Sequence, residues 1–288
     1  MMWLVFALLA AAFQSIVSIF SKKELYKKHA MEFATLNGMY IAAYSIILLF
    51  FLQPANSWKV LLIIYAISWN LTILMLLRAK AMRHLDLSVY SPLTNISPLF
   101  LIIIAYILLG ETLTFIQYMG VFLIIVGAYA LEASHHFTSV FEPIKKIFMG
   151  KYHMIAIVTL ILASFGSALD KLIVSTLAQP LAYICYIWIF NGFNIILIDF
   201  FRFRLKDVRA DLRSKSWPIA IISLASMISN VFYILAVSMQ LISLVIPIKR
   251  LSTLFDTFAG GKLFHERGIK LKILSCMIMV LGTYLISL

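Results

Sequence analysis

Apolar residues fill ten long runs of the sequence, separated by short clusters of charged and turn-forming residues. The runs cover residues 2–20, 34–53, 58–77, 88–109, 113–131, 153–170, 181–200, 217–239, 241–261 and 272–287. Each is close to the ~20 residues that an α-helix needs to cross ~30 Å of hydrocarbon. The pattern therefore predicts an all-α integral membrane protein with ten transmembrane helices.

One sizeable polar stretch divides these runs into five and five. Short motifs recur in the same order on both sides of it: Ser57-Trp58 and Ser216-Trp217 open the third and eighth runs, and an offset of 155 relates Pro92 to Pro247. Collinear matches of this kind indicate an internal duplication. We expect a first five-helix repeat at 1–133, a connecting loop at 134–151 and a second five-helix repeat at 152–288.

The positive charges predict how the repeats are oriented. Of the 24 Lys and Arg residues, 20 lie in loops that follow odd-numbered runs. Because such loops face the cytoplasm by the positive-inside rule, we expect both chain ends to face outward. An odd number of helices per repeat then makes the repeats inverted, and inverted repeats are a recurring architecture of transporters that work by alternating access.

Composition excludes an ordinary soluble fold. Hydrophobic residues make up 63% of the 288 and charged residues only 12%, against roughly 25% charged in soluble domains. The net charge of +12 comes mostly from the cytoplasmic loops, so we expect contact with anionic lipids and none with nucleic acid. The sequence carries no nucleotide-binding, paired metal-ligand or nucleophile motif, so we expect no cofactor, no bound metal and no enzymatic activity.

Two adjacent cations within the ninth run are the first candidates for substrate binding. Lys249 and Arg250 follow Pro247 with apolar sequence on both sides. An unpaired charge at the bilayer centre costs at least ~2.5–3.5 kcal/mol and is usually functional. Neighbouring helix positions point ~100° apart, so the two side chains could hold an anion from adjacent directions. The alternative is that they reach the headgroups or pair with Asp256.

Other polar residues in the runs could line a path for the substrate or bond a neighbouring helix. The set that we expect to bind substrate beside Lys249 and Arg250 is Gln14, Tyr90, Asn95, Asn230 and Tyr233. Asp170 and Lys171 lie at the end of the sixth run, near a membrane face. They are interpreted either as an interfacial ion pair or, together with Asp256, as gate or coupling residues. We expect the acids in the turns after the fourth and ninth runs to cap the helices that follow them.

The two half-ends also resemble a known family. Leu109-Gly110-Glu111-Thr112-Leu113, with Gly120 and Gly127, and Phe264-His265-Glu266-Arg267, with Gly282, are similar to the ten-helix EamA-like members of the drug/metabolite transporter superfamily. The resemblance implies a central cavity between inverted repeats. It also implies cytoplasmic termini, which is the opposite of what the charge count predicts. The Lys249-Arg250 pair resembles the phosphate-holding Lys-Arg pair of the superfamily's triose-phosphate and nucleotide-sugar branch.

These observations together predict a secondary transporter for a small organic metabolite with an anionic group. The alternatives are an exporter of amino acids or of neutral or aromatic metabolites, and a non-transporting membrane protein or complex subunit. We expect a multi-pass protein of the bacterial plasma (inner) membrane that functions as a monomer. Import or export, and coupling to protons, sodium or exchange, are left open by the sequence.

Overall fold

The computed structural model describes residues 2–25, 30–52, 57–84, 94–133, 151–203, 217–255 and 269–288. These residues form ten α-helices, numbered in chain order: α1 Met2–Leu25, α2 Ala30–Leu52, α3 Trp58–His84, α4 Ser97–Leu109, α5 Phe115–Ala133, α6 Lys151–Thr176, α7 Pro180–Phe203, α8 Trp217–Met239, α9 Ile242–Lys249 and α10 Ile269–Ser287.

The described helices follow the ten predicted runs one for one. Six of them (α1, α2, α3, α6, α7 and α8) are long and apolar enough to cross a membrane by length and composition. Three more, α4, α5 and α10, are apolar over shorter described lengths, and α9 has eight residues. The chain is therefore an all-α, multi-pass membrane protein.

Apolar side chains on the outer surface agree with this assignment. Large hydrophobic residues are strongly exposed on several helices, for example Phe50 and Phe51 at 76% and Phe115 at 79%. A water-soluble monomer rarely exposes such contiguous apolar surface. The outer surface is consequently suited to contact lipid chains.

Most helix packing joins the first five helices to the last five. The pairs in contact include α5 with α10, α1 with α8, α2 with α7, α3 with α6, α4 with α6, and α1 with α9. Small residues permit close approach: Ala7, Ala10 and Ala11 of α1 are fully buried, and the Ser229 hydroxyl on α8 donates to the Ala10 carbonyl at 2.8 Å. Such contacts stabilise helix association where lipid supplies no hydrophobic driving force.

The α5–α10 contact is tight enough to require glycine. A Cβ on Gly120 would lie 2.7 Å from the carbonyl oxygen of Gly282, and a Cβ on Gly282 would lie 2.6 Å from that of Gly120. A Cβ on Gly127 would meet the Ser275 carbonyl oxygen at 2.9 Å. Since backbone cannot move aside as a side-chain end can, these glycines fix the distance between the two helices.

The turn before α5 uses local capping. Thr114 and Gln117 form a capping box, in which the Thr114 amide donates to Gln117 Oε1 at 3.0 Å and the Gln117 amide donates to Thr114 Oγ1 at 3.3 Å. Gly110 ends α4 in the left-handed conformation, with φ 65°, which glycine adopts without steric cost. This local capping leaves Glu111 available for another role.

Candidate functional site

The candidate site begins where the ninth helix changes its geometry. The α9 helix ends at Lys249, Arg250 and Leu251 form a turn, and helical structure resumes over 252–255. The turn is held by short-range backbone bonds, including Leu251 N–H to Ile248 O at 2.9 Å. A matching turn at Asn95 and Ile96 precedes α4, 155 residues earlier. The predicted cations therefore lie at a helix irregularity that recurs in both halves.

Lys249 joins a group of polar side chains from four helices. Its Nζ lies 4.4 Å from the centre of the Tyr233 ring on α8, a cation–π geometry. The Tyr233 hydroxyl donates to Asp170 Oδ2 at 3.1 Å, and the Tyr183 hydroxyl on α7 donates to Asp170 Oδ1 at 2.6 Å. We call Asp170, Tyr183, Tyr233 and Lys249 the carboxylate cluster.

The position of Asp170 corrects one prediction. The sequence placed this residue at the end of the sixth run, near a membrane face, but α6 continues six residues further to Thr176. At 1.5 Å per residue, Asp170 is about 9 Å inside the helix end. The end of the sixth span was therefore predicted six residues too early, and Asp170 lies within α6, where its carboxylate accepts hydrogen bonds from two tyrosines.

Arg250 points to the first half of the chain. Its guanidinium donates to Ser97 Oγ at 2.6 Å, at the start of α4. The Ser164 hydroxyl on α6 donates to the Ser97 carbonyl oxygen at 3.1 Å, so Ser97 is itself held in place. Lys249 and Arg250 therefore diverge as their adjacent positions require, one toward the second half of the chain and one toward the first.

Asn95, the first-half counterpart of Arg250, is also buried near this turn. Its side chain is 1% exposed, and its Nδ2 donates to the Ala128 carbonyl oxygen at 3.3 Å. Its Oδ1 has no hydrogen-bond partner among the described residues. A buried acceptor without a donor is costly, so this oxygen is able to accept a hydrogen bond from a ligand or a water molecule.

Lys171 has a different environment from that of its neighbour Asp170. Its Nζ donates to the carbonyl oxygens of Val237 at 2.8 Å and Gln240 at 2.9 Å, at the carboxyl end of α8. A lysine there satisfies terminal carbonyls and offsets the helix dipole. The predicted gate residue thus contacts the connection between α8 and α9.

Glu111 binds the other side of that connection. Its carboxylate accepts from the Ile242 amide at 2.9 Å, from the Ser243 amide at 3.1 Å and from the Ser243 hydroxyl at 2.7 Å. The predicted capping role is correct in kind, but the helix is α9 of the second half and not α5, which follows Glu111 in the chain. Lys171 and Glu111 together fix where α9 begins.

The remaining predicted residues are spread over the bundle. Gln14 and Asn230 are half-buried on α1 and α8, two helices that pack together. Tyr90 and Asp256 lie outside the described residues. Among the part of the chain that the structure describes, no three His, Cys, Asp or Glu side chains are grouped as metal ligands.

Polar side chains on α3 and α7 also bond a neighbouring helix. Asn70 Nδ2 donates to the Leu162 carbonyl oxygen at 3.3 Å. Thr72 donates to Asn191 Oδ1 at 3.0 Å, and Asn194 Nδ2 donates to Ser68 Oγ at 2.9 Å. These bonds connect α3 to α6 and α7.

Comparisons with known proteins support a transporter. Residues 1–132 match the model of the EamA-like transporter family. Twenty-eight chains of solved structures match the fold. One of them, titled "Crystal structure of protein", has a TM-score of 0.73 and 13% sequence identity, over 98% of this chain and 95% of that chain; at this identity the likeness concerns the fold alone. No curated protein matches the chain.

Proposed function

We propose that this chain, whose residues 1–132 match the EamA-like transporter family, is a membrane transporter of small molecules. We further propose that it carries a small organic metabolite with an anionic group by alternating access around Lys249 and Arg250. The single observation that carries this proposal is the position of the two cations. They lie side by side at the turn after α9 and reach Tyr233 in the second half and Ser97 in the first.

This arrangement favours an anion. Positively charged side chains within the apolar helices of a membrane protein are by default candidates for substrate contact. Arg250 contributes donors in a fixed planar fork that matches carboxylate and phosphate groups, and Lys249 contributes a compact point charge. An anion that binds between them would connect the two halves of the chain, so its binding would depend on their relative position.

Pairs of helix contacts support the inverted repeats that alternating access needs. In an inverted repeat each helix of the first half corresponds to the helix five places later, so α1 corresponds to α6 and α3 to α8. The contact between α1 and α8 then corresponds to the contact between α6 and α3, and the contact between α4 and α6 corresponds to that between α9 and α1. The α5–α10 contact maps onto itself. A pseudo-two-fold axis between the halves would produce this reciprocity.

Contacts of individual residues between α5 and α10 support the same symmetry between the two halves. The 155-residue offset makes Gly120 equivalent to Ser275 and Gly127 equivalent to Gly282. Gly120 contacts Gly282, and Gly127 contacts Ser275. The offset therefore converts the Gly120–Gly282 contact into the Ser275–Gly127 contact, as the symmetry of an isologous interface would.

We also propose the cellular location, oligomeric state and energy source of the protein. We place it as a monomer in the bacterial plasma (inner) membrane. The sequence carries no nucleotide-binding motif, so we assign its transport to a gradient or to exchange.

Uptake of a metabolite panel into proteoliposomes tests the proposal. Lys249→Gln and Arg250→Gln should each lower transport of the accepted anion at least about tenfold, since a hydrogen bond to a charged group contributes ~1.5–3 kcal/mol. Lys59→Gln, at the start of α3 and near Trp58, is the matched control and should transport normally. If both site variants move every accepted anion as well as the parent, the assigned role of the cations is wrong.

The second candidate function is export of amino acids or of neutral or aromatic metabolites. The carboxylate cluster favours it, because Lys249 and Asp170 contact the same tyrosine, Tyr233, and two tyrosine rings accompany the pair. Protection of cells from toxic amino-acid analogues on overexpression would support this function, and unchanged protection in Lys249→Gln would assign the lysine a structural role.

A further inference from the structure

We propose that the contact between Glu111 and the start of α9 is a gate, which is closed in this structure and opens in each transport cycle. We call Glu111, Ile242 and Ser243 the gate contact. The gate rests on the proposed function and deepens it, since alternating access requires that some contacts between the two halves break and form again.

The gate contact lies at one face of the membrane. Glu111 belongs to the connection after α4, and Ile242 follows the connection after α8. Successive transmembrane helices run in alternating directions, so the connections after even-numbered helices all lie at the same face. The gate contact therefore joins the first half of the chain to the second at a single face, whichever way the protein is oriented.

The start of α9 depends on Glu111 for its capping. The N-cap residue Leu241 makes no side-chain cap hydrogen bond, and the amides of Ile242 and Ser243 donate to the Glu111 carboxylate instead. Glu111 is 8% exposed although it lies in a turn, and Ser243 is 2% exposed. The gate contact thus keeps water out of this part of the face.

Opening of the gate contact is linked to the entry of water. When the carboxylate leaves, the two amides and the Ser243 hydroxyl need other acceptors, because a buried donor without a partner is costly. Water supplies such acceptors almost as well as a direct hydrogen bond does. The contact can therefore break when the face becomes hydrated, as the opening of a gate requires.

Lys171 determines which side of the contact moves. Its ammonium group donates to the carbonyl oxygens of Val237 and Gln240 at the end of α8. Lys171, α8 and α9 all belong to the second half, whereas Glu111 belongs to the first. When Glu111 releases α9, Lys171 keeps the α8–α9 connection within the second half.

The short α9 helix connects the gate contact to the substrate site. Lys249 lies six residues after Ser243, which is about 9 Å along an α-helix, and Arg250 follows it directly. Arg250 contacts Ser97 in the first half at 2.6 Å. A movement of α9 away from Glu111 would therefore also change the position of Arg250 relative to Ser97.

The symmetry of the chain separates the gate contact from the packing of α5 on α10. The α5–α10 contact maps onto itself, so it can persist while the two halves exchange conformations. The offset of 155 instead relates Glu111 to Glu266 and Ser243 to Ser88, two residues outside the described part of the chain whose connections follow odd-numbered helices. The gate contact has its equivalent at the opposite face, so exchange of the halves would change it.

Reversible cross-linking tests whether the gate contact opens. In a background of Cys185→Ala and Cys276→Ala, the changes Thr112→Cys and Met239→Cys introduce thiols at exposed positions beside the contact and leave Glu111 in place. A flexible bifunctional methanethiosulfonate joins the two thiols. We expect this link to stop proteoliposome uptake of a metabolite that the parent transports, and we expect a reducing agent to restore uptake.

A second pair of thiols is the matched control. Phe115→Cys and Leu288→Cys are exposed changes at the start of α5 and just after the end of α10, so a link between them also joins the two halves at the same face. Uptake should stay close to that of the unlinked protein, because the α5–α10 contact persists in both states. Full uptake with the Thr112–Met239 link, or an equal loss with both links, would overturn the gate.

Thiol accessibility is a readout that needs no substrate. In the same background, Ser97→Cys introduces a thiol at a position that is 3% exposed beside Arg250. Ser243→Ala removes one hydrogen bond to the Glu111 carboxylate. Labelling of position 97 by a membrane-impermeant reagent should then become on the order of tenfold faster, from one side of the membrane only, because a hydrogen bond to a charged group is lost.

Ser238→Ala is the control for this labelling. It removes only a hydrogen bond within α8, so the labelling rate should stay that of Ser97→Cys alone. Equal rates in Ser243→Ala and Ser238→Ala would contradict the gate.

The outcomes separate the gate from the proposed function. Uptake that is lost in Lys249→Gln and Arg250→Gln but continues with the Thr112–Met239 link refutes the gate and leaves the anion transport intact. Uptake that the link stops but that both cation variants retain refutes the role of the cations and keeps the gate. Absence of uptake by the parent for the whole metabolite panel refutes both.

Discussion

Removal of the Glu111 carboxylate should destabilise the protein more than any other single change in the turn between α4 and α5. Glu111 is 8% exposed and accepts three hydrogen bonds at 2.7–3.1 Å from the start of α9. Because the acceptor is charged, the contact contributes ~1.5–3 kcal/mol, and two amides left without a partner add ~1–3 kcal/mol. We therefore expect Glu111→Ala to cost about 3–5 kcal/mol.

This cost is large enough to measure in detergent solution. At about 2 °C per kcal/mol for a chain of this size, Glu111→Ala should lower the apparent melting temperature by about 6–10 °C. Glu111→Gln, which keeps one acceptor oxygen but turns an NH2 group toward a donor, should show an intermediate loss. The assay heats samples of the purified protein to a series of temperatures and measures, by size-exclusion chromatography, the fraction that remains monodisperse.

Two further variants make the result specific. Thr112→Ala changes an exposed residue of the same turn and should leave the melting temperature within about 1 °C of the parent, as most surface substitutions do. Ser243→Ala removes only the hydroxyl partner, and combined with Glu111→Ala it should cost less than the sum of the two. A Glu111→Ala variant as stable as Thr112→Ala would refute the capping of α9 by this carboxylate.

Two other predictions follow from packing and from charge. Gly120→Ala should lower the free energy of unfolding by about 1–3 kcal/mol, because its Cβ would press on the backbone of α10. In the control variant Gly38→Ala the new Cβ meets only the flexible end of Ile195, so its stability should be close to that of the parent. Equal melting temperatures of the two variants would refute the tight α5–α10 contact. The distribution of Lys and Arg predicts that Leu288 lies outside the cytoplasm. A reporter enzyme that is active only outside the cytoplasm should therefore be active when it is fused to Leu288, and activity of a reporter that works only in the cytoplasm would contradict the predicted orientation.

The succession of helices could be predicted from hydropathy, because the bilayer requires apolar runs of a fixed length. Trp217 and Met239 bound α8 as the sequence predicts. The ends of α3 and α6 could not be found in this way. Both helices continue past the apolar runs, to His84 and to Thr176, and hydropathy does not detect a helix that continues through polar residues.

The candidate site was only partly readable for a related reason. Lys249, Arg250 and Asp170 stand out in the sequence because charges are rare within apolar runs. Tyr183 does not stand out, since it is one of 13 tyrosines, and only folding brings it within 2.6 Å of Asp170.

Glu111 shows the same limit. Its position in a turn suggested a cap, but its partner is 131 residues away in the chain. Local capping signals reach only a few residues, so the contact with α9 needed the structure.

Binding of an anion by Lys249 and Arg250 can be measured with a ligand-stabilisation screen of the purified protein. A ligand that binds only the folded state raises apparent stability. We expect anionic metabolites to stabilise the parent, and we expect this effect to be lost in the double variant Lys249→Gln/Arg250→Gln, with Lys59→Gln behaving as the parent. Stabilisation by neutral or aromatic compounds alone, to the same extent in the parent and in the double variant, would contradict it.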